Sequence, residues 1–348
     1  MQRPSDDLEI RNRCALSGKR AWTITDGKTG MDVQVRGVAD ALGVAYDMKR
    51  VEPGGIASVL APWGSVGRSE RFGQPGSAFA PPWPSLALAT GRASIPYIRA
   101  LRRKAGLATY TVVLQDPKTG PNTADLIWVP EHDRLRGPNV ITTLTSPHSF
   151  TQARLEELRR TLPADIAGLP RPIVAVILGG KNGTYRFTDA DDDQLEGALG
   201  SMGSLGASFV ITPSRRTHQR LLRVVTAATD GQPRIIWDGR DPNPYPSFLA
   251  AADWLVVTAD SVNMTGEACA TGRPVYVFEP GGGSAKFSRF HEALRRYGAT
   301  RPLPPMLHSL ERWEYKPLDS AAAIAAEIER RYTRRTEMLS GMTAETAR

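Results

Sequence analysis

Apolar and polar positions alternate along this chain in two recognisable periods. Near the start, RAWTITDG reads as a strand with Trp22 and Ile24 on one face. It runs into Gly27-Lys28-Thr29-Gly30. MDVQVRGVADALGV then shows helical spacing at Val35, Val38, Ala39 and Leu42, with Gly43 as a stop. Strand, glycine-rich turn and helix in that order open a doubly wound α/β domain. SLALATG, TYTVVLQ, ADLIWVP and NVITTLT follow as strands, and IPYIRALRRKAG is a short basic helix. Strands that alternate with helices predict parallel pairing.

Between the first helix and SLALATG, residues 61–84 carry many Gly, Pro and polar residues and are expected to form a long mobile loop. TQARLEELRRTLPADI, residues 151–166, predicts a helix with Leu155, Leu158 and Leu162 on one stripe. Pro-Arg-Pro at 170–172 marks a boundary. A second α/β series follows, with strands in IVAVILGG, SFVITPS, RIIWDG, WLVVTAD and PVYVFEP, the last taken as the final strand. Helices fall at DADDDQLEGALGSM, HQRLLRVVTAA, PSFLAAA and VNMTGEACATG, and two more close the chain. The expected organisation is a polar disordered leader (1–19), an N-terminal Rossmann-like domain (20–168), a C-terminal one (169–318) and a terminal helix (319–348).

Length and composition agree with two domains. There are 348 residues, 41% hydrophobic and 23% charged, which suits a folded soluble chain and excludes collagen-like or disordered classes. No stretch reaches the roughly 18 apolar residues of a membrane span. MQRPSDDLEIRNR has charge and no apolar centre, so no secretory signal is expected. The net charge is +8. Residues 1–168 hold 22 basic and 16 acidic residues, whereas 169–348 hold 22 and 20. A basic N-terminal half suits an anionic partner or a solvated basic surface. Cys14 and Cys269 are too far apart in sequence to suggest a disulfide framework or a zinc site, and point to a reducing compartment. The five histidines lack metal-ligand spacing. No metal and no cofactor are therefore expected.

Candidate chemistry concentrates at strand ends. The strand IVAVIL ends in Gly179-Gly180-Lys181-Asn182-Gly183, where glycines let a diphosphate approach backbone N–H groups. This is neither GxGxxG nor a P-loop. SFVITPS leads into Ser214-Arg215-Arg216-Thr217. Its arginines suit phosphate oxygens, or else Ser214 and Thr217 simply cap the next helix. The run Thr258-Ala259-Asp260-Ser261-Val262-Asn263-Met264-Thr265-Gly266-Glu267 places a Ser261 cap at a helix start that favours anions. Glu267, about two turns further, could accept hydrogen bonds from ribose hydroxyls or be an incidental surface residue.

In the N-terminal half, Asp26-Gly27-Lys28-Thr29-Gly30 offers Asp26 as a base and Lys28 as an anion partner, although Asp-Gly also suits a turn. Pro130-Glu131-His132-Asp133 follows a strand, with Asn139 and His148 behind it. A histidine beside carboxylates can serve as a general base. No GxSxG elbow and no HExxH helix is present. The basic helix at 95–104 could rest on an anionic membrane or belong to an ordinary soluble domain. Nothing matches a nucleic-acid-binding module, so no nucleic-acid partner is expected.

Four phrases carry a family resemblance: Thr25-Asp26-Gly27-Lys28 with Gln34, VPEHDRLRGPNVITT, TPSRRT and TADSVNMTGEACATGRPV. Together, over roughly residues 20–315, they resemble the mitochondrial-fission ELM-type family of plants and bacteria. That family is similar in implied fold to GT-B glycosyltransferases, in which two Rossmann-like domains with parallel sheets face each other across a cleft. The resemblance implies a nucleotide sugar on the C-terminal domain and an acceptor on the N-terminal one. By similarity to the N-acetylglucosaminyltransferase of peptidoglycan synthesis, Glu267 would hold ribose. Ser261, Asn263, Met264 and Thr265 would lie at the diphosphate, Gly180 and Lys181 would line the pocket, and Arg215 would balance phosphate charge. Met31 stands near the place of that enzyme's histidine, which leaves Asp26, His132 or His148 as base. Lys28, Gly30 and Asp133 would lie on the acceptor or anion side.

The expected function is a metal-independent transferase that uses a nucleotide-diphosphate sugar, such as a UDP-linked one. The rivals are a non-catalytic membrane-surface adaptor and a nucleotide-sugar epimerase. The expected location is cytoplasmic, with the inner membrane face as a site of peripheral association, where a lipid-linked acceptor could be met.

Overall fold

A computed structural model describes residues 15–346. The chain forms two α/β units. The first comprises residues up to Thr143 together with Pro147–Ser149 and the segment from Ser320 on; the second comprises Leu144–Ser146 and Phe150–Asp319. The division therefore falls near residue 144, not at Pro-Arg-Pro 170–172, and the helix Gln152–Arg160 belongs to the second unit. Hydrophobic contact decides this: Leu155 is fully buried in the second unit's core.

In the first unit the strands are β1 (Arg20–Thr25), β2 (Ala45–Arg50), β3 (Leu86–Thr90), β4 (Tyr110–Leu114), β5 (Leu126–Pro130) and β6 (Val140–Thr143). All pair in parallel, in the order β2-β1-β3-β4-β5-β6. The chain thus steps outward once, reverses, and continues on the other side of β1. Successive residues of each strand face opposite sides of the sheet. Leu86 and Leu88 join Val35, Val38 and Trp128 on one side. Ala87 and Ala89 join Trp22, Ile24, Ile98 and Leu101 on the other. The terminal helix Ser320–Thr346 packs into the first of these clusters through Ile324, Ala325 and Ile328.

The second unit contains β7 (Ile173–Leu178), β8 (Ser208–Pro213), β9 (Arg234–Ile236), β10 (Trp254–Thr258), β11 (Val275–Phe278) and β12 (Thr300–Pro302). These are also parallel, in the order β12-β11-β10-β7-β8-β9. This is the Rossmann order, which reverses between β7 and β10. Buried on both faces, its central strands are continuous apolar runs, as parallel pairing demands.

The differences from the sequence expectation have local causes. The helix expected over 151–166 breaks into Gln152–Arg160 and Ala164–Ala167, because Pro163 interrupts the ladder. β2 is an edge strand, AYDMKR, with no fully buried residue, and so carried no apolar signal. PVYVFEP is followed by the short strand β12. Most of the expected leader lies outside the described residues, but Leu16 is buried in the first core. The 61–84 segment is pinned by aromatics. Phe72 and Phe79 stack at 5.2 Å, and Trp22 meets Phe79 and Trp83 edge-on at 5.9 Å.

Candidate functional site

Ligands of doubly wound sheets bind outside the carboxyl ends of strands, where strand order reverses. In the second unit that point lies between β7 and β10. Three segments meet there: Gly179–Asn182 after β7, Ser214–Thr217 after β8, and Asp260–Asn263 after β10. The structure thus brings Gly180, Lys181, Ser214, Arg215, Ser261 and Asn263 to one place.

The centre of this place is Asp260, whose side chain has 0% exposure. Its carboxylate accepts hydrogen bonds from the Gly180 N–H (3.1 Å), the Thr258 hydroxyl (2.7 Å) and the Arg216 guanidinium (2.8 Å). The Gly179 N–H in turn donates to Thr258 Oγ1 at 2.7 Å. The glycines are required by this packing. A Cβ at Gly179 would lie 1.9 Å from Asp260 Oδ1, and one at Gly180 would lie 1.9 Å from the Arg216 carbonyl oxygen. Thr217 ties the neighbouring turn down by donating to the Gly179 carbonyl at 2.6 Å and accepting the Ser214 N–H at 2.9 Å. Ser214 Oγ accepts the Arg216 N–H. The capping reading is corrected: neither hydroxyl caps the next helix, Gln219–Ala228, whose N-cap is His218; the hydroxyls shape the turn instead, and Arg216 is held by an internal carboxylate. Lys181 and Arg215 are exposed beside this cluster and form no ion pair among the described residues.

The helix Val262–Ala270 begins at this point. Ser261 Oγ caps it by accepting the Met264 N–H at 3.3 Å, and Thr265 Oγ1 donates to the Ser261 carbonyl. Asn263 is exposed on the first turn. Glu267 accepts a 2.6 Å hydrogen bond from the Tyr245 hydroxyl. Tyr245 is walled by Phe150, edge-on at 5.9 Å. This apolar surround desolvates the Glu267 carboxyl and pushes its pKa up to about 7, although the Tyr245 hydrogen bond opposes the rise. The Tyr245 hydroxyl is likewise driven well above its ordinary value by burial and by Glu267.

In the first unit the reversal lies between β1 and β3. Asp26 follows β1 and forms a 2.6 Å ion pair with Lys28, whose side chain is 73% exposed. Gly91 follows β3 at φ +88°, and a Cβ there would lie 2.9 Å from Asp26 Cγ. Gly30 sits in the first turn of the helix Thr29–Ala41. Beneath the turn, Thr25 Oγ1 accepts the Gly27 N–H and donates to Asp32 at 2.6 Å, and Asp32 also pairs with Arg50 at 2.8 Å. Burial works against ionisation of Asp32, but the Thr25 hydroxyl and Arg50 prevail and hold its carboxyl below the usual range. Met31 accepts the Thr90 hydroxyl at 3.3 Å and lies next to Gln115.

The two histidines do not share this turn. His132 follows β5, three strand spacings from β1, or roughly 14 Å at about 4.8 Å per strand. It and Asp133 sit in a turn fastened by Arg136, which donates to the carbonyls of Glu131 and Asp133. The His148 backbone rests against Gly37, in the middle of the helix Thr29–Ala41 and away from its start.

A cavity of about 420 Å³ opens at the carboxyl ends of β3 and β4. It is lined by Trp63, Ile95 and Val113 with Arg92, Gln115 and Lys118. Gln115 and Lys118 adopt φ of +83° and +62°. Two left-handed non-glycine residues on one cavity wall are strain of the kind that marks binding sites. Sequence reasoning missed them, along with Tyr245 and the pairing of Arg216, read there as a phosphate partner, with Asp260. A second arginine beside Arg215 and a Thr-Ala-Asp strand end were the available signals.

A family model described as mitochondrial fission ELM1 matches residues 29–332. The chain belongs to that family. The mitochondrial fission protein ELM1 of Arabidopsis thaliana is 31% identical over 271 residues, which cover 71% of this chain and 64% of the plant protein. The match thus spans less than two thirds of that relative. An uncharacterised protein of Rickettsia prowazekii (strain Madrid E) is 32% identical over 163 residues, 45% of this chain and 46% of that protein. Among solved structures, the UDP-GlcNAc 2-epimerase of Methanocaldococcus jannaschii aligns with TM-score 0.52 at 10% identity, covering 89% of this chain and 99% of that one. The spinosyn forosaminyltransferase SpnP aligns with TM-score 0.50 at 13% identity, covering 95% and 100%. At such identities the likeness establishes the fold, which is GT-B-like.

Proposed function

We propose that this ELM1-family member binds a nucleoside-diphosphate sugar at the carboxyl edge of its second sheet and transfers the sugar to a hydroxyl acceptor. The observation that carries the reading is Glu267. It is a carboxylate two turns into the helix that starts at the β10 edge, held by Tyr245 where a ribose would hydrogen-bond. The Ser261-capped helix start, Asn263, and the unpaired cations Lys181 and Arg215 suit a diphosphate beside it. The solved epimerase and forosaminyltransferase share the fold and are named for sugar chemistry; a UDP-linked donor is the first choice. On the first unit, Asp26 takes the proton of the acceptor hydroxyl. The acceptor oxygen bonds to the anomeric carbon, whose bond to the diphosphate breaks. The diphosphate leaves with the electron pair, stabilised by Lys181, Arg215 and the helix start. The 420 Å³ cavity suits the acceptor. Calorimetric titration with UDP, GDP and ADP tests the donor site. Saturable binding of one of them, weakened at least about tenfold in Glu267→Ala, supports it. No binding of any of the three overturns it.

One observation favours a second reading. The Gly180 N–H and Arg216, which a diphosphate would use, are already held by the Asp260 carboxylate. A crevice that fills its own anion seat suits a non-catalytic adaptor, in keeping with a family described by fission. Absence of nucleotide binding in both the native chain and Asp260→Asn supports this second reading.

A further inference from the structure

The helix Gly55–Leu60 buries none of its residues. Ile56, Val59, Leu60 and Trp63 are 77%, 74%, 53% and 63% exposed; the i, i+3, i+4 spacing of the first three puts them on one face of the helix, and Trp63 follows three residues after its end. They account for four of the ten large apolar side chains exposed among the described residues, within eight positions. The backbone behind them is fixed. Arg92 donates to the carbonyls of Ala61 and Val59, and Arg99 donates to that of Trp63 at 3.0 Å. The segment is thus held firmly while its apolar side chains face water.

Charge is concentrated around the same segment. Residues 50–118 contain nine Lys and Arg against three Asp and Glu, so they supply +6 of the chain's net +8. Arg99 also lines a cavity of about 550 Å³ together with Arg102, Arg103 and Arg335, facing a single Asp125. Arg103 has no ion pair among the described residues, and Leu107 stands exposed at the rim. The helix Ile95–Ala105 itself cannot insert into a bilayer by its apolar face, because Ile95, Ile98 and Leu101 are buried in the core. It contributes charge, and the 56–63 face contributes the apolar surface.

We infer that this face docks on an anionic lipid bilayer. Ile56, Val59, Leu60 and Trp63 enter the boundary between headgroups and acyl chains, while the arginines of the 99–103 region meet lipid phosphates. Exposed apolar residues backed by Arg92 and Arg99, in a stretch of net positive charge, match that surface on both counts. The inference is independent of whether the second unit binds nucleotide.

The test is flotation of the full chain with phosphatidylcholine vesicles, with and without phosphatidylglycerol. The native chain binds the anionic vesicles, and salt weakens this binding. Ile56→Glu with Val59→Glu reduces the affinity at least about tenfold, and Arg103→Glu reduces it several-fold. Thermal melting confirms that these exposed substitutions leave the fold intact. A second readout uses the native side chains: brominated acyl chains quench a fluorescence component that Trp63→Phe removes. Absence of binding by the native chain, equal binding by the double variant, or quenching unaffected by Trp63→Phe each overturns the inference. So does a sedimentation result in which the double variant dissolves a dimer but keeps its vesicle affinity, since the face would then serve a second copy of the chain.

Discussion

The carboxyl edges of the two sheets are built from the same parts and finished differently. Each has a threonine at the end of a strand, accepting a glycine N–H and donating to an aspartate: Thr25 with Gly27 and Asp32, and Thr258 with Gly179 and Asp260. Each also has a glycine that makes room for an aspartate at the reversal point: Gly91 for Asp26 in the first unit, and in the second the same Gly179 for Asp260. In the first unit that aspartate is held by one solvent-exposed lysine. In the second it is fully enclosed and satisfied by an amide, a hydroxyl and an arginine. The first edge leaves its carboxylate, 9% exposed, paired with a single side chain that reaches into water. The second spends its carboxylate on fixing three loops, and leaves ligand contacts to the groups around it: Lys181, Arg215 and the capped helix start.

Removing the cation from each pair separates the two edges most sharply. Arg216→Ala leaves Asp260 buried and unpaired, and is expected to cost about 4 kcal/mol in urea unfolding. Lys28→Ala removes only a 73% exposed partner and leaves Asp26 the backbone N–H of residue 28, and is expected to cost about 1 kcal/mol. Equal losses in the two variants would mean that Asp260 is not locked.

Adding a methyl group tests the same contrast from the backbone side. Gly179→Ala drives a Cβ into a carboxylate that cannot move without releasing its three donors, and about 3 kcal/mol of stability is expected to be lost. At Gly91 the obstacle is the Asp26 side chain, which can swing toward Lys28, so the loss comes mainly from the positive φ, at about 1.5 kcal/mol. Thermal melting of the two variants ranks them; the reverse order would contradict the comparison.

The sequence made the strand-and-turn framework readable because parallel strands buried on both faces are unbroken apolar runs, as in IVAVIL and WLVVT. It also marked the loops that converge in the second unit, since glycines, hydroxyls and arginines cluster at its strand ends. It concealed what depends on pairing across the chain. Asp260 meets Gly180 eighty positions away and Arg216 forty-four positions away, and neither spacing has a local signature. Tyr245 and Glu267 meet across twenty-two residues; Glu267 was legible as a candidate ribose partner, but nothing local points to Tyr245. The polar edge strand β2 escaped notice for the opposite reason, since it buries no apolar face, and the helix at 55–60 because three apolar positions in one short turn flanked by Gly and Pro are too few to establish a period.

The smallest expected effect concerns Glu267, which has no counterpart at the first edge. Its pKa is about 7 in the folded chain against an ordinary 4.5. Between those values the unfolded chain ionises while the folded one stays protonated, so the folded state holds more protons. Stability is then greatest below about pH 4.5 and falls as pH rises through about 7. Between about pH 6 and pH 8 this one group removes about 1 kcal/mol, and Glu267→Gln flattens that part of the profile. Nucleotide affinity runs the other way. Ribose hydroxyls donate best to the ionised carboxylate, so binding of the nucleotide found by calorimetry should tighten as pH rises through 7. A stability slope that is lost in Glu267→Gln, with an affinity slope of opposite sign, ties both to this carboxyl. Two slopes of the same sign would separate Glu267 from the ribose seat while leaving its burial intact.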